Sequence, residues 1–104
     1  MVAKIIWSPS ALSDLEAITA YIAADNLAAA LAIGAQVIET VEQTSAFPRM
    51  GKVFRTPGPL EHREMIAGKY RLIYRYDESR SVLLILRIWH GARGKPEIPP
   101  FDAS

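Results

Sequence analysis

The sequence predicts an α+β domain in which two helices pack on one face of a mainly antiparallel sheet. Three observations predict this class. Apolar residues recur at helical spacing between residues 9 and 46, strand-like apolar runs follow between residues 53 and 89, and one short apolar strand precedes the helices. The resulting order, β-α-α-β-β-β, is typical of domains whose helices are segregated to one face of a sheet.

The composition is that of one small globular domain. The chain has 104 residues, half of them apolar, and a net charge of +1. We assign residues 1–96 to this domain and residues 97–104 to an irregular, proline-rich tail. The sequence contains no cysteine, which excludes disulfides, thiolate metal sites and cysteine nucleophiles. It also lacks the apolar run of a signal peptide or a membrane span, so a cytoplasmic location is expected.

The first strand and the two helices follow from caps and apolar stripes. Val2–Trp7 is a short apolar strand, after which Ser8 can cap a helix that has Pro9 at its first position. Asn26 can cap a second helix directly after the first, which predicts a helical hairpin. The apolar residues that we expect to be buried are Leu12, Leu15, Ile18 and Ile22 in the first helix, and Leu27, Leu31, Gly34, Val37, Ile38 and Val41 in the second.

Four strands are expected after Phe47 and Pro48 end the second helix. The unbroken apolar run from Val82 to Leu86 predicts a strand that is covered on both faces and is therefore central in its sheet. The four strands are Val53–Arg55, an edge strand, followed by Leu60–Ile66, Tyr70–Tyr76 and Val82–Trp89.

The last two strands form a hairpin whose two faces differ. If Asp77 lies opposite Arg80, then Tyr74 lies opposite Leu83 and Arg71 opposite Leu86. The face expected to pack on the helices carries Tyr70, Leu72, Tyr74, Leu83 and Ile85. The other face carries Arg71, Ile73, Arg75, Val82, Leu84, Ile88 and His90, and its aliphatic patch, edged by arginines, has the character of a protein-binding surface. Alternatively, the Ile98–Phe101 tail folds over this patch.

Charge is segregated along the chain. Residues 8–48 carry five acidic residues and no lysine or arginine. Residues 49–95 carry eleven lysines and arginines against four acidic residues, a surplus of seven positive charges. Such a basic region can attract an anionic partner although the total charge is near zero.

The basic half contains the only candidates for chemistry. The two histidines, His62 and His90, form no metal motif with nearby carboxylates, and no phosphate-binding glycine loop is present, so we expect neither a metal nor a cofactor. A cluster of Arg63, Lys69, Tyr70, Arg71, Arg87, His90 and Arg93 remains. Metal-free RNA cleavage needs an acid, a base and fixed cations, which such residues supply. The same residues could instead contact a nucleic-acid backbone or an acidic protein surface.

Five segments, in order, resemble the RelE/ParE superfamily of bacterial toxins from type II toxin–antitoxin modules. They are SPSALSDLEAITAYIAADN, FPRMG, PGPLEHRE, YRLIYRY and LRIWHGAR, and the similarity runs from Ile5 to about Pro96. The resemblance implies two helices against a curved antiparallel sheet. It also implies a cognate antitoxin whose extended C-terminal segment wraps the toxin, and we expect that segment to bind at Ile73, Arg75, Val82, Leu84 and Ile88.

The superfamily contains two activities. RelE-like members cleave messenger RNA on the ribosome, and in that branch Arg71, His90 and Arg93 would be catalytic. ParE-like members inhibit DNA gyrase and cleave nothing themselves. The chain lacks the C-terminal tyrosine and the paired lysines of the RelE type, whereas its long helical hairpin and its FPRMG segment lean toward the ParE type.

We therefore expect a gyrase inhibitor that acts by binding. The residues expected to contact the target or a nucleic acid are Arg63, Lys69, Arg71, Arg87 and Arg93. The alternatives are a ribosome-dependent endoribonuclease and a non-toxic domain that binds nucleic acid or protein.

Overall fold

A computed structural model describes residues 2–54 and 56–101 of the chain. Its elements are β1 (Lys4–Trp7), α1 (Pro9–Ala23), α2 (Leu27–Ala46), β2 (Lys52–Phe54), β3 (His62–Ala67), β4 (Tyr70–Asp77) and β5 (Val82–His90), followed by a 3-10 turn over Gly91–Arg93. Met1, Arg55 (the end of the predicted edge strand) and residues 102–104 of the predicted tail lie outside the described residues.

The five strands form one sheet in the order β1-β5-β4-β3-β2. β1 runs parallel to β5, and every other pair is antiparallel. β5 therefore has a neighbour on each side, as its continuous apolar run predicts. The predicted α+β class, with two helices against a mainly antiparallel sheet, is confirmed. Over the described ranges, no helix combines the length and the hydropathy needed to cross a membrane.

Both helices begin where their caps predict. Ser8 Oγ accepts a hydrogen bond of 3.0 Å from the Ala11 amide, and Pro9 occupies the first turn of α1. Asn26 Oδ1 accepts a hydrogen bond of 3.0 Å from the Ala29 amide at the start of α2. Each cap satisfies an amide that has no partner within its helix, so the hairpin needs almost no linker.

One face of the sheet, the helix-side face, packs against the helices. Its core contains Leu72, Tyr74, Leu83, Ile85 and Ile88 from the sheet together with Ala11, Val37 and Val41 from the helices. The predicted helix-packing residues of the hairpin are therefore on the correct face. Tyr74 is fully buried there and donates its hydroxyl to the Pro48 carbonyl at 2.7 Å, which ties the end of α2 to β4.

The predicted apolar stripes of the helices were partly wrong. Ala11 is buried and Leu12 is 52% exposed, whereas Leu27, Leu31 and Ile38 of α2 are 64%, 67% and 43% exposed. The buried residues of α2 are Ala30, Val37, Thr40, Val41, Thr44 and Ser45. Polar residues can take these places because their hydroxyls donate to carbonyls of the same helix, as in the 2.7 Å bond from Thr44 to Thr40.

The predicted register of the β4–β5 hairpin was wrong by two residues at the turn. Asp77 pairs with Val82, not Arg80, so that Glu78–Ser81 form a four-residue loop. The Asp77 carboxylate accepts hydrogen bonds from Ser79 Oγ at 2.8 Å and from Arg80 Nε at 2.8 Å, which stabilises the longer loop. A shift of two residues keeps every side chain on its predicted face, which is why the helix-side residues near the turn were placed correctly.

A β-bulge reverses the faces beyond the middle of the hairpin. Tyr74 pairs with Ile85 but Ile73 pairs with Arg87, which leaves Leu86 as an extra residue in β5. Ile88, predicted on the far face, therefore lies in the helix-side core. His90 was also predicted on the far face, but it pairs with Tyr70, and the two rings meet edge to face at 5.2 Å between centroids.

The opposite face, the tail-side face, carries the second apolar cluster. Ile73, Val82, Leu84, Leu86 and Trp89 are each at most 7% exposed. Ile98 and Phe101 of the tail pack against this cluster, as do Ile6 and Phe54. The tail therefore covers the predicted patch, as the alternative interpretation has it. Arg75 Nη2 donates a hydrogen bond of 3.0 Å to the Phe101 carbonyl, which holds the tail in this position.

Candidate functional site

The predicted basic cluster lies at the end of the sheet where β3 turns into β4 and β5 runs into the 3-10 turn. Gly68 adopts a positive φ of 62° in the tight turn between Ala67 and Tyr70, which presents Lys69 at its tip. The Gly91 amide donates to the Lys69 carbonyl at 2.9 Å, which joins the two turns. These contacts bring Lys69, His90 and Arg93 to one end of the molecule.

Arg71 does not present a free guanidinium. It forms a hydrogen-bonded ion pair with Glu64 of β3, and both side chains are largely buried. Its guanidinium carbon also lies 5.7 Å from the centre of the Phe54 ring. A phosphate would have to compete with a carboxylate that is already in place, so Arg71 is poorly suited to clamp one.

Arg87 belongs to the connection between β5 and α1. Its Nε and Nη2 donate to the Asp14 carboxylate at 2.7 and 2.8 Å, in a bidentate geometry. Asp14 also accepts the Ile88 amide at 3.0 Å, just beyond the bulge. These hydrogen bonds to Asp14 raise the pKa of Arg87 above its ordinary value. Arg87 thus holds the bulged part of β5 against α1.

Arg63 is likewise engaged within the fold. Its guanidinium donates to the carbonyls of Arg49 and Gly51, each at 2.9 Å, and pairs with Glu61 at 3.0 Å. The side chain is only 17% exposed. Arg63 therefore stabilises the segment that leads from α2 into β2.

His90 lies on the other face of the sheet from Arg71. In antiparallel pairs the two partners point to the same face, and Arg71 pairs with Trp89 whereas His90 pairs with Tyr70. His90 Nδ1 accepts the Ala92 amide at 3.0 Å, which caps the 3-10 turn. The prediction that Arg71 and His90 share a face was wrong, because the bulge intervenes between them.

Lys69 and Arg93 are the exposed cations of the cluster. Lys69 has no carboxylate partner within residues 2–54 and 56–101. Arg93 lies with its guanidinium carbon 4.2 Å above the centre of the Trp89 ring, and Arg87 lies 4.8 Å from the same ring. Arg93 thus stacks on Trp89, and within the described residues its hydrogen-bond donors stay open to a partner.

A cleft of about 390 Å³ lies between the tail and the sheet. Arg75, His62 and Thr56 contribute polar groups, and Leu60, Leu86, Ile98 and Phe101 line it with apolar side chains. Thr56 Oγ1 and His62 Nδ1 are 2.8 Å apart. Burial, and secondly the charge of Arg75, lower the pKa of His62 below its ordinary value.

Two residues that sequence reasoning missed decide which arginines are available. Asp14 lies 73 residues before Arg87, and Glu64 lies seven residues before Arg71 on the neighbouring strand. The first contact depends on how α1 packs against β5, and the second on how β3 pairs with β4. One signal for Asp14 was present, since it is an acidic residue in a helical segment, residues 8–48, that contains no lysine or arginine, so any cationic partner must come from another part of the chain.

Comparison with known proteins gives a family. Residues 5–94 match the model of the ParE toxin of type II toxin–antitoxin systems, parDE. A comparison with curated protein sequences gives no match.

Solved structures give the same fold. The chromosomal ParDE system of P. aeruginosa is similar at 20% identity with a TM-score of 0.70, covering 86% of this chain and 96% of that chain. The RelBE2 toxin–antitoxin complex of Mycobacterium tuberculosis is similar at 26% identity with a TM-score of 0.62, covering 86% and 99%. The archaeal RelE–RelB complex of Pyrococcus horikoshii OT3 is similar at 17% identity with a TM-score of 0.63, covering 90% and 100%.

The family match spans both helices and four complete strands, from the second residue of β1 to the 3-10 turn that carries Arg93. The shared fold of the solved structures agrees with it over most of each chain. The chain therefore belongs to the ParE toxin family of type II toxin–antitoxin systems, within the RelE/ParE superfamily.

Proposed function

We propose that this toxin arrests growth by binding and inhibiting DNA gyrase, and that a cognate antitoxin neutralises it. One observation carries the choice of binding over catalysis: the residues of the ribonuclease alternative are not assembled. Arg71 is paired with Glu64 on the tail-side face, while His90 lies on the helix-side face with Nδ1 engaged. An acid, a base and a phosphate clamp must meet at one reacting phosphate, which this arrangement does not favour.

The target would be contacted through Lys69 and Arg93. They remain exposed, whereas Arg63, Arg71 and Arg87 each pair with a carboxylate of the same chain. Of the five residues predicted to bind the target, these three would act indirectly, by fixing the strands and turns from which Lys69 and Arg93 project. A paired and largely buried guanidinium contributes little to a partner's binding energy, whereas an exposed one can form new charge-assisted hydrogen bonds.

The antitoxin would bind the tail-side face. The three solved structures are described as toxin–antitoxin systems or complexes, which supports such a partner for this chain. Arg75 is the accessible member of the predicted contact set. Ile73, Val82 and Leu84 lie beneath Ile98 and Phe101, so an antitoxin segment reaches them only where the tail moves aside. Ile88 faces the helices and is therefore out of reach of a segment bound at the tail-side face.

Purified gyrase tests the proposal. We expect the toxin to inhibit supercoiling, and Lys69→Glu combined with Arg93→Glu to weaken the inhibition at least tenfold, because two attractive charges become repulsive. A matched control is Lys4→Glu with Lys52→Glu, which changes the net charge equally at exposed positions far along the chain from the two turns. Supercoiling that is unaffected by the wild-type toxin would contradict the proposal.

The second candidate is an endoribonuclease that acts on the ribosome. One observation favours it: Lys69, Tyr70 and His90 are adjacent at the same end of the sheet. This candidate predicts cleavage of messenger RNA in a reconstituted translation reaction. It also predicts that His90→Ala abolishes the cleavage, while supercoiling by gyrase stays normal in the presence of the toxin.

A further inference from the structure

The helical hairpin exposes an apolar groove on the side that faces away from the sheet. Two adjoining hollows, of about 540 and 480 Å³, lie between α1 and α2 and share Glu16, Thr19 and Gly34 in their walls. Leu27 and Leu31 line the first hollow, and Leu12 and Ile38 line the second. All four side chains are at least 43% exposed. A continuous exposed apolar surface of this kind marks an interaction site.

The tail does not cover this groove. Ile98 and Phe101 pack on the tail-side face, and the sheet separates them from the helices. The groove is therefore open in the described part of the chain. It is also long enough for a partner helix, since the 15 residues of α1 extend over about 22 Å, or four helical turns.

Gly34 indicates that a backbone approaches the groove closely. Glycine in the middle of a helix costs about 1 kcal/mol relative to alanine. The monomer gives no steric reason for it, because a Cβ at Gly34 would meet only Thr19 Cγ2, at an ordinary 3.8 Å. Alanines at positions 20, 23, 30 and 35 line the same hollow. Small residues that leave space unfilled in the monomer permit a second helix to lie close against them.

The charges around the groove determine which charge a partner should carry. Residues 8–48 contain no lysine or arginine, and Glu16, Asp25 and Glu39 are exposed without a cationic partner among the described residues. A second copy docked through the same face would place acidic rims against each other. Anionic lipid surfaces are disfavoured for the same reason. A partner with a basic rim is attracted.

We propose that the α1–α2 groove binds an amphipathic helix whose apolar face is flanked by lysine or arginine, with its backbone crossing closest at Gly34. This partner is opposite in charge to an acidic segment bound at the basic half of the molecule. The toxin thus offers two separate surfaces to two kinds of partner. The proposal does not depend on gyrase being the target.

Synthetic helices test the proposal with the intact protein. The probe is a fluorescent peptide of about 16 residues, long enough for a helix of about 24 Å, with leucine and alanine on one face and lysine at the flanks. Two comparison peptides have glutamate in place of lysine, or the lysine peptide's composition in an order without an apolar face. We expect saturable binding of the first peptide, and at least tenfold weaker binding of both others.

Three variants locate the binding. Leu31→Ser should raise the dissociation constant about tenfold, since it removes a central apolar contact. Phe47→Ser, at a side chain of equal 67% exposure outside the groove, should leave the constant unchanged. Gly34→Ala should stabilise the free protein and yet weaken peptide binding several-fold, an outcome that a purely structural glycine would not give.

Other outcomes would overturn the proposal. These are equal binding of the lysine and glutamate peptides, an unchanged dissociation constant in Leu31→Ser, or a Gly34→Ala variant that binds as tightly as the wild type. Sedimentation velocity tests a further outcome that would overturn it. A dimer of the wild-type protein that dissociates in Leu31→Ser would identify a second copy of the chain as the occupant.

Discussion

Asp14 shows how a single carboxylate can determine the role of an arginine. Its oxygens accept three hydrogen bonds from β5, two from the Arg87 guanidinium and one from the Ile88 amide. Both charged side chains are only 13% exposed. Arg87 is therefore part of the contact between α1 and the bulged strand, and its loss would act on stability before it acts on any partner.

We expect Asp14→Asn to lower the free energy of unfolding by about 2 kcal/mol, because it leaves a largely buried guanidinium without its counter-ion. Urea denaturation measures the change. A double-mutant cycle with Arg87→Gln should give a coupling energy of about 1 kcal/mol or more. Strictly additive losses would mean that the pair contributes nothing beyond its separate side chains.

His62 makes the stability of the fold depend on pH. Its pKa is lowered, first by burial and then by Arg75, so the folded protein resists a proton that the unfolded chain takes up near its ordinary pKa of 6.5. The contribution to stability is fully present above that pH and is lost as the pH falls below it. Between about pH 7.5 and about pH 5, wild-type protein should lose more unfolding free energy than His62→Asn. Parallel losses in the two proteins would contradict this.

At the scale of the elements, α2 carries a glycine that the monomer does not use. Gly34→Ala should raise the free energy of unfolding by about 0.5–1 kcal/mol, since it restricts the unfolded chain and creates no clash. Thermal and urea unfolding measure the gain. Ala35→Gly, at the next and exposed position of the same helix, is the matched control and should lower stability by a similar amount. A loss of stability in Gly34→Ala would mean that the two helices pack more tightly than the structure has them.

The ends of the elements could be predicted from the sequence, but the faces of the elements only in part. Ser8 with Pro9, and Asn26, carry local signals, so α1 and α2 begin where expected. The buried side of α2 includes Thr40 and Thr44. Their polarity predicts exposed positions, but each hydroxyl donates to a carbonyl of the same helix, which allows burial.

The candidate site was harder to predict for a related reason. The composition located the basic cluster in the correct half of the chain, but one extra residue, Leu86, moved His90 to the other face from Arg71. Ser8 stabilises that bulge by donating to the Leu86 carbonyl at 3.0 Å, across 78 residues of sequence. A bulge fixed by so distant a partner has no local signature.

At the scale of the whole molecule, the tail acts as the second cover of the sheet. Ile98 and Phe101 do for one face what α1 and α2 do for the other, so both faces of β4 and β5 are buried. Ile98 and Phe101 are thereby packed against the hydrophobic core as partly buried residues, although they form neither a helix nor a strand.

We expect Ile98→Ser combined with Phe101→Ser to lower the free energy of unfolding by about 2 kcal/mol, because it removes the partly buried apolar side chains of the tail and uncovers the apolar surface of the sheet beneath them. Binding of a hydrophobic dye to the folded protein should rise as Ile73 and Leu84 become accessible. Pro99→Ala, at an exposed tail position, should change neither measurement appreciably. An unchanged stability in the double variant would show that the contact between the tail and the sheet does not stabilise the fold.

The parallel pairing of β1 with β5 also governs how this chain can fold during its synthesis. β1 is translated before every other described strand, but its ladder partner, Val82–Ile85, belongs to the last of these strands, 78 residues further along the chain. Until then β1 has no hydrogen-bonding neighbour, and the contacts of Ser8 and Asp14 with β5 are missing as well. Closing so long a loop is slow, since its entropy is lost before any contact forms. A nascent chain that stops before Val82 therefore lacks the centre of its sheet, and the toxin acquires its working surfaces only after β5 has been translated.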